Sequence, residues 1–327
     1  MTTIDPGTGA RSLGIDPSAD LFEEIERLKL ERRAIILAHY YQDPDIQDLA
    51  DRLGDSLDLA RAARDATDVD VILFCGVHFM AETAKLLNPA KTVILPDLDA
   101  GCSLADSCSG EQLRAFRQRN PEHFIVSYIN CSAEAKAQSD IICTSSNAAE
   151  IIESVPSDRP ILFAPDKNLG AWLIKKTGRE MTLWPGTCMV HVTFSERKIL
   201  ALKVKHAGAK FIAHPECEPS ILRHAEFVGS TRKLLRFVAE SQDQTIIVGT
   251  ESGILHTMRK TAPDKTLIEV PVDNSAGCEG CNQCPHMKLN TLEKIYLALR
   301  DLTPRIEMDE KLRLAAAVPL ERMLAVG

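Results

Sequence analysis

Val71-Ile72-Leu73-Phe74-Cys75-Gly76-Val77-His78 is an uninterrupted apolar run of strand length that closes on a glycine and a histidine. A helical stretch follows at 81–87, is stopped by Asn88-Pro89, and gives way to a second short apolar run at 92–95. The residue before a proline is held out of the helical region, so the stop is firm. A continuous apolar run suits a strand covered by helices on both faces, and the passage therefore reads as β–α–β in a parallel sheet.

The same alphabet extends in both directions. Runs at 34–38, 124–128, 140–143, 161–164, 210–213, 245–248 and 266–269 complete a set of nine candidate strands. Helical patterns separate them, for example Ser18-Ala-Asp-Leu-Phe-Glu-Glu-Ile-Glu-Arg-Leu28. A group of about three strands restarts roughly every 80 to 100 residues, near the size of a small domain. Three similar three-layer α/β/α units with short parallel sheets are the simplest packing of that pattern.

A chain of 327 residues with 45% hydrophobic and 26% charged residues is ordinary globular material. The formal net charge of -8 argues against nucleic-acid binding as the main task, which needs a basic face. Residues 1–19 are rich in Gly, Thr and Pro without an apolar core behind a basic start, so a disordered tail is expected, not a signal peptide, and a cytoplasmic location follows. No apolar stretch reaches membrane-spanning length, the broken run 69–80 being the longest candidate. Ten cysteines in such a chain suggest reduced thiols and metal chemistry in preference to disulfides.

Polar residues gather just past the apolar runs: His39-Tyr40-Tyr41-Gln42, Gly76-Val77-His78, Asn130-Cys131-Ser132, Thr144-Ser145-Ser146-Asn147, Asp166-Lys167-Asn168, His214-Pro215-Glu216, Gly229-Ser230-Thr231-Arg232 and Gly249-Thr250-Glu251-Ser252. Parallel α/β folds bind ligands at the carboxyl ends of their strands, where the next helix offers free N–H groups to anions. A small anionic ligand is expected. His214 and Glu216, two residues apart, suit proton transfer, with a structural ion pair as the competing reading. The Thr144–Asn147 cluster reads equally as a helix N-cap. No G-x-G-x-x-G or G-x-x-x-x-G-K occurs, which disfavours NAD- and ATP-dependent chemistry.

Near the C-terminus, Cys278-Glu-Gly-Cys281-Asn-Gln-Cys284-Pro285 places three thiols on one tight turn ending in proline, a spacing that points to metal and first to iron. No second C-x-x-C pair exists, so a zinc site cannot be built from two knuckles. Cys102 and Cys188 follow glycine-containing turns, where backbone can approach a cofactor, while Cys75 and Cys143 read as buried small hydrophobes. Cys108, Cys131 and Cys217 carry no assignment.

Taken in order, His39-Tyr-Tyr41-Gln42, Asp55-Ser56-Leu-Asp-Leu-Ala60, Phe74-Cys-Gly-Val-His-Phe-Met-Ala-Glu-Thr-Ala-Lys85, Ala100-Gly-Cys102-Ser-Leu-Ala105, Tyr128-Ile-Asn130, Thr144-Ser145-Ser-Asn147, Gly186-Thr-Cys188, His214-Pro-Glu216 and the C-terminal cysteine run closely resemble the quinolinate synthases, the bacterial A-type family of NAD biosynthesis. The resemblance implies a transferase that condenses iminosuccinate with dihydroxyacetone phosphate, losing phosphate and two waters. It implies three α/β units about a pseudo-threefold axis: 20–105 joined by 286–327, then 106–190, then 191–285. A [4Fe-4S] cluster would be held by Cys102, Cys188 and Cys284, one from each third, with the fourth iron position open. His39, Ser56, Tyr128, Asn130, Ser145 (or its neighbour Ser146), His214, Glu216 and Thr231 would hold carboxylates and phosphate, and Tyr41, Tyr128, His214 and Glu216 would serve the chemistry. An L-aspartate oxidase or aspartate dehydrogenase would supply the iminosuccinate, with no nucleic acid or membrane as partner. Cys278 and Cys281 stay outside this ligand set and are expected to form a thiol pair able to switch to a disulfide near Cys284.

Two other classes compete. An iron-sulfur or zinc sensor would use the C-terminal cysteines for metal and the α/β body for a small effector. A hydro-lyase of the aconitase type would also use a cluster with an open iron.

Overall fold

The computed structural model describes residues 14–272 and 282–326. Its first sheet holds β1 (Ala34–His39), β2 (Arg52–Gly54), β3 (Val71–Cys75) and β4 (Thr92–Ile94), the second β5 (Phe124–Tyr128), β6 (Ile141–Cys143), β7 (Ile161–Ala164) and β8 (Thr182–Leu183). The third holds β9 (Lys210–Ala213), β10 (Phe227–Val228), β11 (Thr245–Gly249) and β12 (Thr266–Glu269). The spatial orders are β2-β1-β3-β4, β6-β5-β7-β8 and β10-β9-β11-β12. One topology is thus used three times, with every pairing parallel. The chain is an α/β protein of three α/β/α units.

Each sheet has four strands, where the apolar runs indicate about three. The strands missing from the sequence reading are β2, β8 and β10, all on sheet edges, two or three residues long and partly exposed. These three are short and covered incompletely and need no apolar run, so periodicity does not reveal them, whereas the opposite edges β4, β6 and β12 do carry one. Central strands do need one: all five residues of β3 are buried, as are the four of β7.

Short polar caps start the helices that cover these sheets. Asp20 accepts from the amides of Phe22 and Glu23 to open the helix Leu21–Glu31, and Asp166 accepts from Asn168 and Leu169 to open Lys167–Thr177. The C-terminal segment divides between two units. The helix Leu292–Asp301 lies against Leu21–Glu31 and β3, whereas Glu310–Leu324 lies against Ala133–Lys136 and β6. Ala316, Leu320 and Met323 bury there among the core of the second unit, and Arg322 donates to the Asp140 carbonyl at 2.7 Å. Among the described residues no helix is long and apolar enough to cross a membrane.

One glycine is required by close approach. A Cβ on Gly186 would lie 2.5 Å from the Pro165 carbonyl oxygen, because Gly186 pairs with Asp166 just past β7. That contact aims the chain toward Cys188, two residues on.

Candidate active site

Because every strand of each sheet runs in one direction, the carboxyl ends of each sheet share one edge, and the three edges meet at one cavity of about 70 Å³. β1 delivers His39 and Tyr41, β5 delivers Tyr128 and Asn130, and β9 delivers His214 and Glu216. These are the first strands of their units, at corresponding positions. Ser56, Ser145 and Thr231 line the same cavity, following β2, β6 and β10. Cys102, Cys188 and Cys284 complete the lining. Every residue that the family resemblance singles out for substrate, proton transfer or metal therefore faces one space.

Ser56 and Thr231 are the first residues of ten-residue helices, Ser56–Asp65 and Thr231–Glu240. Their N-termini carry partial positive charge, a natural seat for an anion, although Asp55 already takes the amides of Leu57 and Asp58 and Ser230 that of Lys233. The neighbouring serines divide their work. The Ser145 hydroxyl lies 3.3 Å from His214 Nε2 inside the cavity, while Ser146 donates to Asp55 Oδ2 and lies beside Ser230 Oγ, both at 2.8 Å. Asp55 and Ser230 are themselves helix caps, so Ser146 ties the three units together. Asn130 Oδ1 is buried without a hydrogen-bond partner at this wall, an acceptor left for a ligand.

Glu216 is the electrostatic centre. Tyr128 donates to its Oε1 at 2.6 Å, His191 Nδ1 stands 3.0 Å from its Oε2, and His214 Nδ1 lies 3.9 Å from Oε1. Burial pushes the Glu216 carboxyl up, but the two imidazoles and these hydrogen bonds outweigh it and hold it well below the usual carboxylate range. Burial lowers His39 to about 3 and His214 to about 4 despite the nearby carboxylate. Burial together with the Glu216 charge raises Tyr41 and Tyr128 well above the ordinary phenol. The site thus holds an ionised Glu216 beside two phenols that keep their protons and beside His39 and His214, whose charged forms burial disfavours.

A second chain of hydrogen bonds leaves Glu216 through His191. His191 Nε2 lies 2.9 Å from Thr250 Oγ1, which lies 2.7 Å from the Tyr41 hydroxyl, itself 3.2 Å from Thr231 Oγ1. Glu216 and Tyr41 are therefore joined through two buried side chains. Neither His191 nor Thr250 was assigned from the sequence. The spacing Cys188-x-x-His191 and the strand-end position of Thr250 were the available signals, and neither stands out without the fold.

The three cysteines share a local geometry. The backbone amides of the second and third residues onward favour the thiolate at each, Leu104 and Ala105 at Cys102, Val190 and His191 at Cys188, His286 and Met287 at Cys284. Amides aimed at sulfur stabilise a thiolate and recur around cluster ligands. Burial nonetheless raises all three thiols, Cys102 to about 12, so in the free chain they hold their protons until a cation offsets the charge. Among the described residues the group whose donor atoms all lie within 4.8 Å is Cys188, His191 and Glu216. The three sulfurs do not form such a group, so a polynuclear cluster fits them better than a single shared ion. Glu251 anchors the third thiol: it is buried, accepts from the Cys284 amide at 3.1 Å and the Gly253 amide at 2.7 Å, and burial lifts it to about 7.

The remaining cysteines sort by position. Cys75 and Cys143 are buried in strands, and Cys108, Cys131 and Cys217 are core residues. Cys278 and Cys281 lie outside the described residues.

Residues 23–325 match the family model described as quinolinate synthetase A protein. The chain is 60% identical over 308 residues, 94% of each chain, to a protein of Nostoc sp. (strain PCC 7120) named quinolinate synthase. It is 57% identical to one of the same name from Microcystis aeruginosa (strain NIES-843) over 327 residues, the whole of both chains, and 58% over 308 residues to one from Gloeothece citriformis.

Proposed function

The chain belongs to the quinolinate synthetase A protein family, and from that premise we propose that it condenses iminosuccinate with dihydroxyacetone phosphate to quinolinate, releasing phosphate and two waters. The observation that carries this reading is the meeting of three thiols, one after each sheet, at the cavity that also holds the ionised Glu216.

Cys102, Cys188 and Cys284 would hold a [4Fe-4S] cluster, which fits their shared amide cradles and spacing. With three protein ligands, such a cluster would leave one iron without a protein thiolate and would supply Lewis acidity for the dehydrations. The protein groups do the rest. Ser56, Ser145 and Thr231 hold phosphate and carboxylates, the first and last at helix N-termini. His39 and Asn130 fix the dicarboxylate, the unpartnered Asn130 Oδ1 being free to accept from the imine N–H. Glu216 takes a proton at a carboxylate oxygen, and Tyr128 O–H keeps the developing charge balanced through its 2.6 Å bond. His214, beside Ser145, passes protons between substrate and Glu216, while Tyr41 does so through Thr250 and His191. The buried side chains His39, Tyr128, His214 and Glu216 limit the access of bulk water to intermediates that must lose water.

In this role the protein would act in the cytoplasm on small anions, with iminosuccinate supplied by an L-aspartate oxidase or aspartate dehydrogenase. The test is anaerobic purification, iron and sulfide analysis, and assay of quinolinate from the two substrates, with Cys188→Ser alongside. The expected result is a cluster-bearing active protein and an inactive variant. Undiminished activity in Cys188→Ser contradicts the ligand set, and a protein that binds a metal but forms no quinolinate supports a sensor.

A further inference from the structure

Cys188, His191 and Glu216 present sulfur, nitrogen and oxygen donors that all lie within 4.8 Å of one another. His191 Nδ1 is 3.2 Å from Cys188 Sγ and 3.0 Å from Glu216 Oε2. Zinc bonds of about 2.0 to 2.3 Å in tetrahedral geometry separate such donors by about 3.3 to 3.6 Å, so both histidine pairs lie within a few tenths of an ångström of what the ion requires. One thiolate, one imidazole and one carboxylate form a three-ligand set of the kind that leaves a fourth position to solvent or substrate.

The surroundings already hold these ligands in place. His191 Nε2 faces Thr250 Oγ1 at 2.9 Å, Glu216 Oε1 accepts from Tyr128, and Asn168 donates to the Glu216 carbonyl at 3.2 Å. Outer partners of this sort set the tautomer and orientation of a metal-bound histidine. The imidazole proton would sit on Nε2, donated to Thr250, leaving the Nδ1 lone pair for the ion. Cys102 and Cys284 are not in the group.

We propose that the cluster-free chain binds a single divalent cation of the zinc type at Cys188, His191 and Glu216, and that this occupancy and cluster loading exclude each other. On binding, Cys188 releases its thiol proton to solvent and forms the sulfur–metal bond. The binding half stands on the geometry alone, whereas the exclusion half rests on the proposed function, since it requires Cys188 to be a cluster ligand.

Cobalt(II) is the probe. Titrated anaerobically into stripped protein, it should give a single tight site with thiolate-to-cobalt charge transfer and the visible bands of tetrahedral coordination. Cys188→Ser should abolish the charge-transfer band, His191→Ala should weaken binding at least tenfold, and Thr250→Val should weaken it roughly tenfold through the imidazole. Cys102→Ser and Cys284→Ser should leave the spectrum and affinity unchanged. Equal weakening in Cys102→Ser, or a band that survives Cys188→Ser, overturns the site. Zinc-loaded protein should then refuse iron and sulfide until a chelator is added. Cluster assembly with zinc retained overturns the exclusion. If stripped, zinc-free protein forms no cluster at all, the exclusion and the proposed function fall while the cobalt results still decide the site.

Discussion

Tyr128, the last residue of β5, donates its phenolic hydrogen to Glu216 Oε1, beyond the end of β9, at 2.6 Å. The bond crosses from the second α/β unit to the third and joins two buried groups. Tyr128→Phe removes only this hydroxyl. It should lower kcat for quinolinate formation on the order of 100-fold, within the range usual for a lost proton-transfer partner. It should also cost about 1 to 3 kcal/mol of stability, because a buried carboxylate loses a donor. Steady-state kinetics and thermal unfolding of the variant measure both, and an unchanged kcat removes Tyr128 from the chemistry.

Thr250 touches both Tyr41 and His191 without lining the cavity. Thr250→Val keeps the volume and deletes the bridge, so kcat should fall about tenfold with little change in KM. Thr250→Ser, which restores the hydroxyl, should recover most of the loss. A merely structural role predicts that neither variant shifts the ratio of kcat to KM.

Ser145 and Ser146 separate binding from architecture. Ser145→Ala should raise KM several-fold at unchanged melting temperature, since its hydroxyl faces the cavity beside His214. Ser146→Ala breaks the link to Asp55 and Ser230 and should cost about 1 kcal/mol. Comparing the two variants by kinetics and calorimetry tests the division, and reversed effects would refute it.

His39 and His214 set an acid limit on stability. Their folded values, about 3 and about 4, lie below the ordinary 6.5, so the unfolded chain binds protons that the folded chain rejects. Their contribution is complete above about pH 6.5 and is lost as pH falls toward those folded values. The expected slope is about 1.4 kcal/mol per pH unit for each proton taken up. Glu216, lowered as well, adds a loss that begins below its ordinary 4.5. Denaturant unfolding of the cluster-free chain across this window should show the slope, and His39→Gln should flatten it.

Gly186 lies where the chain leaves β8 for Cys188, and any Cβ there would press on the Pro165 carbonyl. Gly186→Ala should cost about 1 to 3 kcal/mol by overpacking and displace the Cys188 turn. Reduced iron uptake on reconstitution, measured with the melting temperature, is the expected pair of results.

Much of this architecture was legible in the chain. Val71–Cys75 and Ile161–Ala164 had to be continuous apolar runs because helices cover both faces, and that need is local. Arg52–Gly54, Thr182–Leu183 and Phe227–Val228 were not legible, since these edge strands are only two or three residues long and incompletely covered, so their own side chains carry no apolar run. The cavity residues His39, Tyr128 and Glu216 were marked by their place after apolar runs. His191 acquires meaning only beside Cys188 and Glu216, and Thr250 only where the third unit meets Tyr41 of the first.

By itself the sequence determined the βα alphabet, the polar strand ends and, through resemblance, the family. Propensity, burial periodicity and motif order act over short stretches of chain, so they survive in one dimension. Only the tertiary structure decided that Cys102, Cys188 and Cys284 border one cavity, that Ser145 faces it while Ser146 clasps the caps, and that His191 stands between a thiol and a carboxylate. Apart from the contact of Cys188 with His191 three residues on, those relations join residues tens to nearly two hundred positions apart, and the distances that define them exist only once three sheets have packed edge to edge.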